Sequence, residues 1–207
     1  MKRTVGCLIL TLLLCLSLAA CQTSEKKTQE DTAAKETTQA AAEKTFKTND
    51  DLFQITADAN WKNARKSLDI EDASLAISKN DEAYIALVSE YKYNFSTVED
   101  LSDYNDMVIK HMENNIDQDE TSETEEFKLG DYDARKTEIT GEVEETDCIY
   151  IVYCVETDEH YAQLICWSSA ESPNEYISEF DKIARSLTDV QEDSEEEGYE
   201  DSSSYYY

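Results

Sequence analysis

The sequence predicts an α+β domain between two polar end segments. Strand-like runs alternate with amphipathic helical stretches from residue 46 to residue 188. One run, residues 149–155, is apolar or aromatic at every position, and two stretches carry signals that start a helix. A segment of about 140 residues is long enough for one domain with its own hydrophobic core.

Seven strands are predicted from runs rich in β-branched and aromatic residues. They cover residues 52–56, 73–78, 83–91, 126–129, 134–141, 148–156 and 161–168. Because residues 149–155 have no polar position, we expect a central strand that is covered on both faces. The last run follows it after four residues, Thr157 to His160, which favours an antiparallel hairpin.

Two helices have recognisable starts. Ser96 followed by Glu99 matches a capping box, and Ser172, Pro173 and Glu175 combine a cap with proline at the first helical position. The apolar positions that follow the first start are Val98, Leu101, Val108, Met112 and Ile116. Those that follow the second are Ile177, Phe180, Ile183, Ala184 and Leu187. Their helical spacing predicts that they pack in the core.

The first 20 residues have the three zones of an export signal. Lys2 and Arg3 precede a nearly unbroken apolar run over residues 7–18, and small residues follow. An apolar run of about 12 residues is too short to cross a bilayer as a permanent helix. Leu18-Ala19-Ala20-Cys21 then resembles the lipobox of bacterial lipoproteins.

That resemblance implies cleavage between Ala20 and Cys21 and attachment of a diacylglyceryl group to the Cys21 sulfur. The protein would then be held at the extracytoplasmic face of the cell membrane by two or three acyl chains, which is enough for stable anchoring. The alternatives are a retained N-terminal anchor and ordinary secretory cleavage, in which Cys21 has no special role.

Both ends of the mature chain are expected to be disordered. Residues 21–45 are polar and have no Gly, Pro or aromatic residue, so they form a tether with an r.m.s. reach of roughly 25–30 Å. Residues 189–207 form an acidic tail that ends in serines and tyrosines. A hook for a partner is one interpretation of this tail, and a solubilising segment is the favoured one.

The order of the predicted elements resembles the PsbP-like fold. The resemblance rests on Phe53-Gln54-Ile55, Asn60-Trp61, Ala73-Ser74-Leu75-Ala76-Ile77, a middle helix, a late meander and the final Ile183-Ala184-Arg185-Ser186-Leu187. It implies an antiparallel β-sheet flanked by helices, an α/β/α sandwich, over residues 46–188. Members of the family act mostly as accessory or binding proteins and share no catalytic residues, so the resemblance implies none here.

Charge limits the possible partners. The net charge of the whole chain is −29, and residues 48–188 alone contain 34 acids against 11 bases. Such a surface argues against nucleic acids and anionic headgroups as direct ligands, and it permits a basic protein partner or divalent cations. The simplest use of the charge is solubility.

The densest acidic cluster in the domain is not predicted to bind metal. Its members are Asp117, Asp119, Glu120, Glu123, Glu125 and Glu126. A calcium loop needs oxygen ligands around a turning glycine, and no glycine lies between Asn114 and Leu129. We therefore expect a solvated loop with no metal, and no cofactor is predicted elsewhere.

Three cysteines remain in the domain: Cys148, Cys154 and Cys166. Cys148 and Cys154 are six residues apart on one predicted strand, so their Cα atoms should be about 20 Å apart, beyond the reach of a disulfide. A four-residue hairpin loop would place Cys166 opposite Ile151 and on the other face from both. Other loop lengths bring Cys154 and Cys166 closer, but three buried free thiols are the prediction.

No catalytic residues are predicted, because only His111 and His160 could serve a cysteine nucleophile and neither lies in a known signature. The predicted function is that of a binding or accessory module for an envelope protein. A carrier of a small apolar or aromatic ligand is the alternative, with Trp61, Tyr91 and Trp167 as the aromatics that could face the ligand. A hydrolase ranks third.

Overall fold

The computed structural model describes residues 42–169 and 173–190. The predicted lipidation site at Cys21, the cleavage site after Ala20, most of the tether and the tail beyond Val190 lie outside these residues. The strands are β1 Glu43–Lys47, β2 Phe53–Asp58, β3 Lys62–Asn63, β4 Leu75–Lys79, β5 Ala83–Tyr91, β6 Asp117–Thr121, β7 Glu125–Leu129, β8 Tyr132–Val143, β9 Thr146–Glu156, β10 His160–Ser169 and β11 Thr188–Asp189. The helices are α1 Arg65–Leu68, α2 Leu101–Glu113 and α3 Pro173–Ala184.

These strands form two antiparallel sheets. The main sheet has eight strands in the order β3-β4-β5-β10-β9-β8-β6, and β7 also pairs with β8. The small sheet has the order β1-β2-β11. The two central strands, β9 and β10, are buried along almost their whole length, as the apolar run at residues 149–155 predicts.

Each face of the main sheet packs against a different layer. One face carries Ile151, Tyr153 and Leu164, which pack against α3 and the small sheet. The opposite face carries Val152 and Ile165, which lie in the cluster formed with α2. The domain is therefore an α/β/α sandwich, and the predicted fold class is confirmed.

The start of α2 differs from the prediction. The helix begins at Leu101 and its N-cap is Asp100, whose Oδ1 accepts a hydrogen bond from the Asp103 N–H at 3.0 Å. The Asp103 carboxylate in turn accepts from the Glu99 N–H at 3.0 Å, so two aspartates form the reciprocal cap. Ser96 lies upstream, between the short 3₁₀ helix at Lys92–Asn94 and the cap, and the capping box predicted there is wrong.

Helix α3 begins at Pro173, the predicted first helical position. Its buried side chains include Phe180 and Ile183, which belong to the core on the small-sheet side. The predicted cap, Ser172, lies outside the described residues.

The hairpin of β9 and β10 has the predicted four-residue connection, since Glu156 pairs with Tyr161. This register places Cys166 opposite Ile151. Cys166 is thus on the α3 face, whereas Cys148 and Cys154 are on the α2 face. All three cysteines are free and buried, which confirms the thiol prediction.

Edge strands occupy two segments that the sequence predicts to be irregular. Strand β1 begins at Glu43, inside the predicted tether. It forms because its backbone pairs with β2, and Phe46 is its one buried side chain. The acidic cluster predicted to be a loop contains β6 and the start of β7, which pair with β8 along the sheet edge. Strands β1 and β6 expose most of their described side chains, so hydrophobic patterning does not reveal them. Strand β11 likewise includes Asp189, the first residue of the predicted tail.

A polar network fastens α3 to the sheets. The Trp61 Nε1–H donates to Glu179 Oε1 at 2.7 Å, and Lys79 Nζ lies 2.8 Å from Glu179 Oε2. Lys79 also reaches Asp58 Oδ2 at 3.1 Å, so one ammonium joins β2, β4 and α3. Burial opposes the charge on Lys79, but its hydrogen bonds to the two carboxylates and their charges raise its pKa above the usual range.

No helix among the described residues is long and apolar enough to cross a membrane.

We predict that Glu179→Ala destabilises the domain by about 1–3 kcal/mol, because it leaves the buried Trp61 indole N–H without an acceptor. Urea unfolding measured by tryptophan fluorescence would give this value. Glu71→Ala is the matched control, since Glu71 is an exposed glutamate and its loss should change stability by less than about 0.5 kcal/mol. Equal stability of the two variants would show that the network does not hold α3 in place.

Candidate interaction surface

Four rings form a row at the end of the main sheet where β5 ends and β10 begins. Tyr93 stacks on Tyr91 with 5.0 Å between ring centroids, and Tyr91 lies 4.3 Å from His160. Phe53 meets His160 edge-on at 6.2 Å. Tyr93 is 78% exposed and Tyr91 is 42% exposed, whereas His160 and Phe53 are buried. This aromatic row therefore runs from solvent into the core.

The local chain path explains how the two tyrosines come together. Strand β5 ends at Tyr91 and the 3₁₀ helix Lys92–Asn94 follows at once, so Tyr93 turns back beside Tyr91. The Lys92 N–H donates to the Glu159 carbonyl at 3.0 Å, and Lys92 Nζ pairs with Glu156 at 2.6 Å. These contacts fasten the turn to the β9–β10 connection.

His160 is oriented by the connection that precedes β10. Its backbone N–H donates to Thr157 Oγ1 at 3.1 Å, and the Thr157 N–H donates back to the His160 carbonyl at 2.9 Å. The ring nitrogen Nε2 is buried and makes no hydrogen bond with any described residue. Such unsatisfied buried atoms are uncommon in folded proteins. Contacts with Tyr91 and Phe53 thus hold the ring.

Four carboxylates without an ion-pair partner among the described residues lie close in sequence to members of the aromatic row. Asp158 and Glu159 lie in the connection before His160, and Asp50 and Asp51 precede Phe53; all four are exposed. None of the four forms an ion pair with a residue that the structure describes. This end of the sheet therefore exposes two tyrosine rings beside four acidic residues, which we call the acidic rim.

Asp50 is held in place within this rim. Its carboxylate accepts hydrogen bonds from the Ser89 hydroxyl and from the Leu52 N–H. Burial opposes its ionisation, but these hydrogen bonds outweigh that effect and hold the pKa of Asp50 below its usual range. Asp50 is thus negatively charged at neutral pH.

The described chain enters and leaves the domain at opposite ends of β2. Glu43, near the entry, pairs with Asp58, whereas the Val190 N–H at the exit donates to the Leu52 carbonyl at 2.9 Å. Leu52, directly before β2, and Asp58, its last residue, are six residues apart, so these points are separated by about 20 Å. The aromatic row lies at the exit end, since Phe53 belongs to it.

The three aromatics predicted to face a ligand do not share one pocket. Trp61 is buried on the α3 face, where it contacts Phe180 with 6.3 Å between ring centroids. Trp167 is buried on the α2 face and stacks on Tyr84 at 5.3 Å. Tyr91 alone of the three is accessible, so a ligand-facing role stays a prediction for this residue.

Cavities next to the main sheet are small or open. A recess between the end of α2 and the sheet is lined by Met112, Ile116, Val143, Tyr150 and Ile165 and has a volume of about 40 Å³. An engineered cavity that binds benzene has about 150 Å³. This recess is therefore too small for an aromatic ligand.

Cys166 and His160 lie apart, although they are close in sequence. They are six residues apart on β10, which corresponds to about 20 Å between their Cα atoms. Burial raises the pKa of the Cys166 thiol well above its usual value, and the charge of Asp181 adds to the effect. This pair does not have the geometry of a cysteine nucleophile and its base.

The sequence prediction names Tyr91 but omits Tyr93 and His160 from the candidate site. The available signal was Tyr91-Lys92-Tyr93 at the end of a predicted strand, since Tyr93 lies beyond the last residue of that strand. The acids of the rim come together only in the folded chain, where the Asp50 carboxylate accepts from Ser89 of β5 and the Glu159 carbonyl accepts from the Lys92 N–H.

The chain matches no known family model and no curated protein sequence. Its fold is nevertheless similar to solved structures. Cyanobacterial PsbP (CyanoP) from Synechocystis sp. PCC 6803 has a TM-score of 0.53 and 9% identity, and the match covers 76% of this chain and 98% of that chain. A Bacteroides thetaiotaomicron protein has a TM-score of 0.51 and 12% identity, over 72% of this chain and 49% of that one. LpqN of Mycobacterium tuberculosis, described as involved in cell envelope biogenesis, has a TM-score of 0.49 and 9% identity, over 75% and 88%.

At these identities the likeness concerns the fold alone. The predicted PsbP-like fold is confirmed, because the match with cyanobacterial PsbP spans nearly all of that chain.

Proposed function

We propose that this chain is a lipid-anchored extracytoplasmic lipoprotein whose PsbP-like domain is a binding or accessory module for a protein of the cell envelope. The observation that carries this proposal is the exposure of Tyr91 and Tyr93 at the end of a sheet whose two faces are covered. Exposed tyrosines provide large contact areas at a low cost in conformational entropy. They therefore suit a protein interface.

The anchor rests on the sequence. Leu18-Ala19-Ala20-Cys21 closes an export signal, and the polar segment behind it would hold the domain close to the membrane. Acyl chains on Cys21 provide the attachment, so the domain needs no membrane-spanning segment of its own. A partner would then have to lie within the reach of the tether.

Cys21→Ala should abolish incorporation of labelled fatty acid and release the protein from the membrane fraction, because the acylated sulfur is lost. Cys15→Ala is the matched control, since Cys15 lies within the apolar leader and should be removed with it. Metabolic labelling and cell fractionation give both results. A Cys21→Ala protein that stays in the membrane fraction, together with a wild-type protein that takes up no label, would instead support a retained N-terminal anchor.

Chemical cross-linking on intact cells should capture the full-length protein in a discrete complex with an envelope protein. The Cys21→Ala variant should give less of this complex, because release from the membrane lowers the effective concentration of the domain near its partner. If the wild-type protein forms no complex, and native mass spectrometry of the purified protein shows a small bound molecule, the carrier function replaces this proposal.

A further inference from the structure

We propose that the aromatic row and its acidic rim bind an arginine-containing basic segment of the partner protein, with a guanidinium group stacked on Tyr93. This inference rests on the proposed function and specifies which surface of the domain is used. It also specifies the chemistry of what binds there.

The ring geometry favours a flat cation. One side of Tyr91 faces Tyr93 and another faces His160, at 5.0 Å and 4.3 Å, so Tyr91 is already packed within the row. Tyr93 ends the row and is 78% exposed, which leaves ring surface available. A guanidinium group stacks on such a face by cation–π and planar contact, whereas an ammonium group acts as a more strongly hydrated point charge.

The charges around the row favour the same occupant. Asp50, Asp51, Asp158 and Glu159 are exposed and have no ion-pair partner among the described residues. The basic residue nearest to Tyr91 in sequence, Lys92, is bound to Glu156 at 2.6 Å. An acidic or neutral segment would leave these carboxylates without compensation, and anionic lipid headgroups would be repelled.

The chain beyond Val190 repeats this chemistry. It has 17 residues, of which seven are acidic and four are tyrosines. It continues from the end of the domain that carries the aromatic row, since the Val190 N–H donates to the carbonyl of Leu52, the neighbour of Phe53.

Anisotropy of fluorescent peptides with the full-length protein in detergent tests the proposal. The probes are a short peptide whose only charged side chains are arginines, and its lysine counterpart of the same length. We expect the arginine peptide to bind more tightly. Tyr93→Ala should weaken its binding about two- to fivefold, the size of an exposed cation–π contact, whereas Tyr93→Phe should retain it.

Charge variants separate local binding from general attraction to an acidic protein. Glu159→Lys should weaken binding of the arginine peptide more than Glu123→Lys does, because Glu123 is an exposed acid in the β6–β7 connection, away from the row. Equal effects of the two charge changes, or equal binding to wild type and Tyr93→Ala, would overturn the proposal. Urea unfolding of each variant would check that the domain remains folded.

The same variants on intact cells distinguish this inference from the proposed function. A cross-linked complex that is lost with Tyr93→Ala and Glu159→Lys but kept with Glu123→Lys supports the proposed surface. A complex that survives all three changes overturns the inference and leaves the proposed function intact. If the wild-type protein forms no complex, the proposed function fails, and the peptide measurements alone decide whether the row binds arginine.

Discussion

The structure depends on the burial of β9 and β10 on both faces. Tyr150, Val152 and Cys154 of β9, with Ile165 and Trp167 of β10, face α2, while the alternate residues face α3 and the small sheet. Exposing these five side chains would cost on the order of 10 kcal/mol, at about 2 kcal/mol for each of them. That is comparable to the whole free energy of unfolding of a typical domain. The domain therefore requires α2 and α3 to keep the side chains of the two central strands buried.

This constraint leaves no surface on either face of the two central strands for a partner. Both faces of the central strands are used for packing, and the described recess beside α2 has a volume of only about 40 Å³. The end of the sheet is different, because β5 turns into a 3₁₀ helix there and exposes Tyr91 and Tyr93. The described chain enters the domain at the other end of β2, so this entry point and the aromatic row are at opposite ends of that strand. If the segment before Glu43 is the membrane tether that we propose, the row can be directed away from the attachment point.

Sequence patterns predict the strands and helices whose side chains are buried. They do not predict the edge strands, which are held mainly by backbone hydrogen bonds. Residues 149–155 identify the central strand because no polar residue interrupts them, and the four-residue connection determines the Cys166–Ile151 register. The edge strands β1 and β6 expose most of their described side chains, so no apolar alternation marks them. The turn between β8 and β9 uses Glu144 and Glu145 at positive φ, where glycine or asparagine would have been recognisable. Tyr91 was predicted as a candidate, but its neighbours His160 and Asp50 become visible only in three dimensions.

Acrylamide quenching of single-tryptophan proteins tests most directly whether both faces of the sheet are closed. Trp61→Phe leaves only Trp167 on the α2 face, and Trp167→Phe leaves only Trp61 on the α3 face. Each indole is 1% exposed, so both native variants should resist quenching and become accessible only in urea. If Trp167 were quenched as readily in the native protein as in the unfolded one, α2 would not close its face of the sheet, and the closure of both faces would be contradicted.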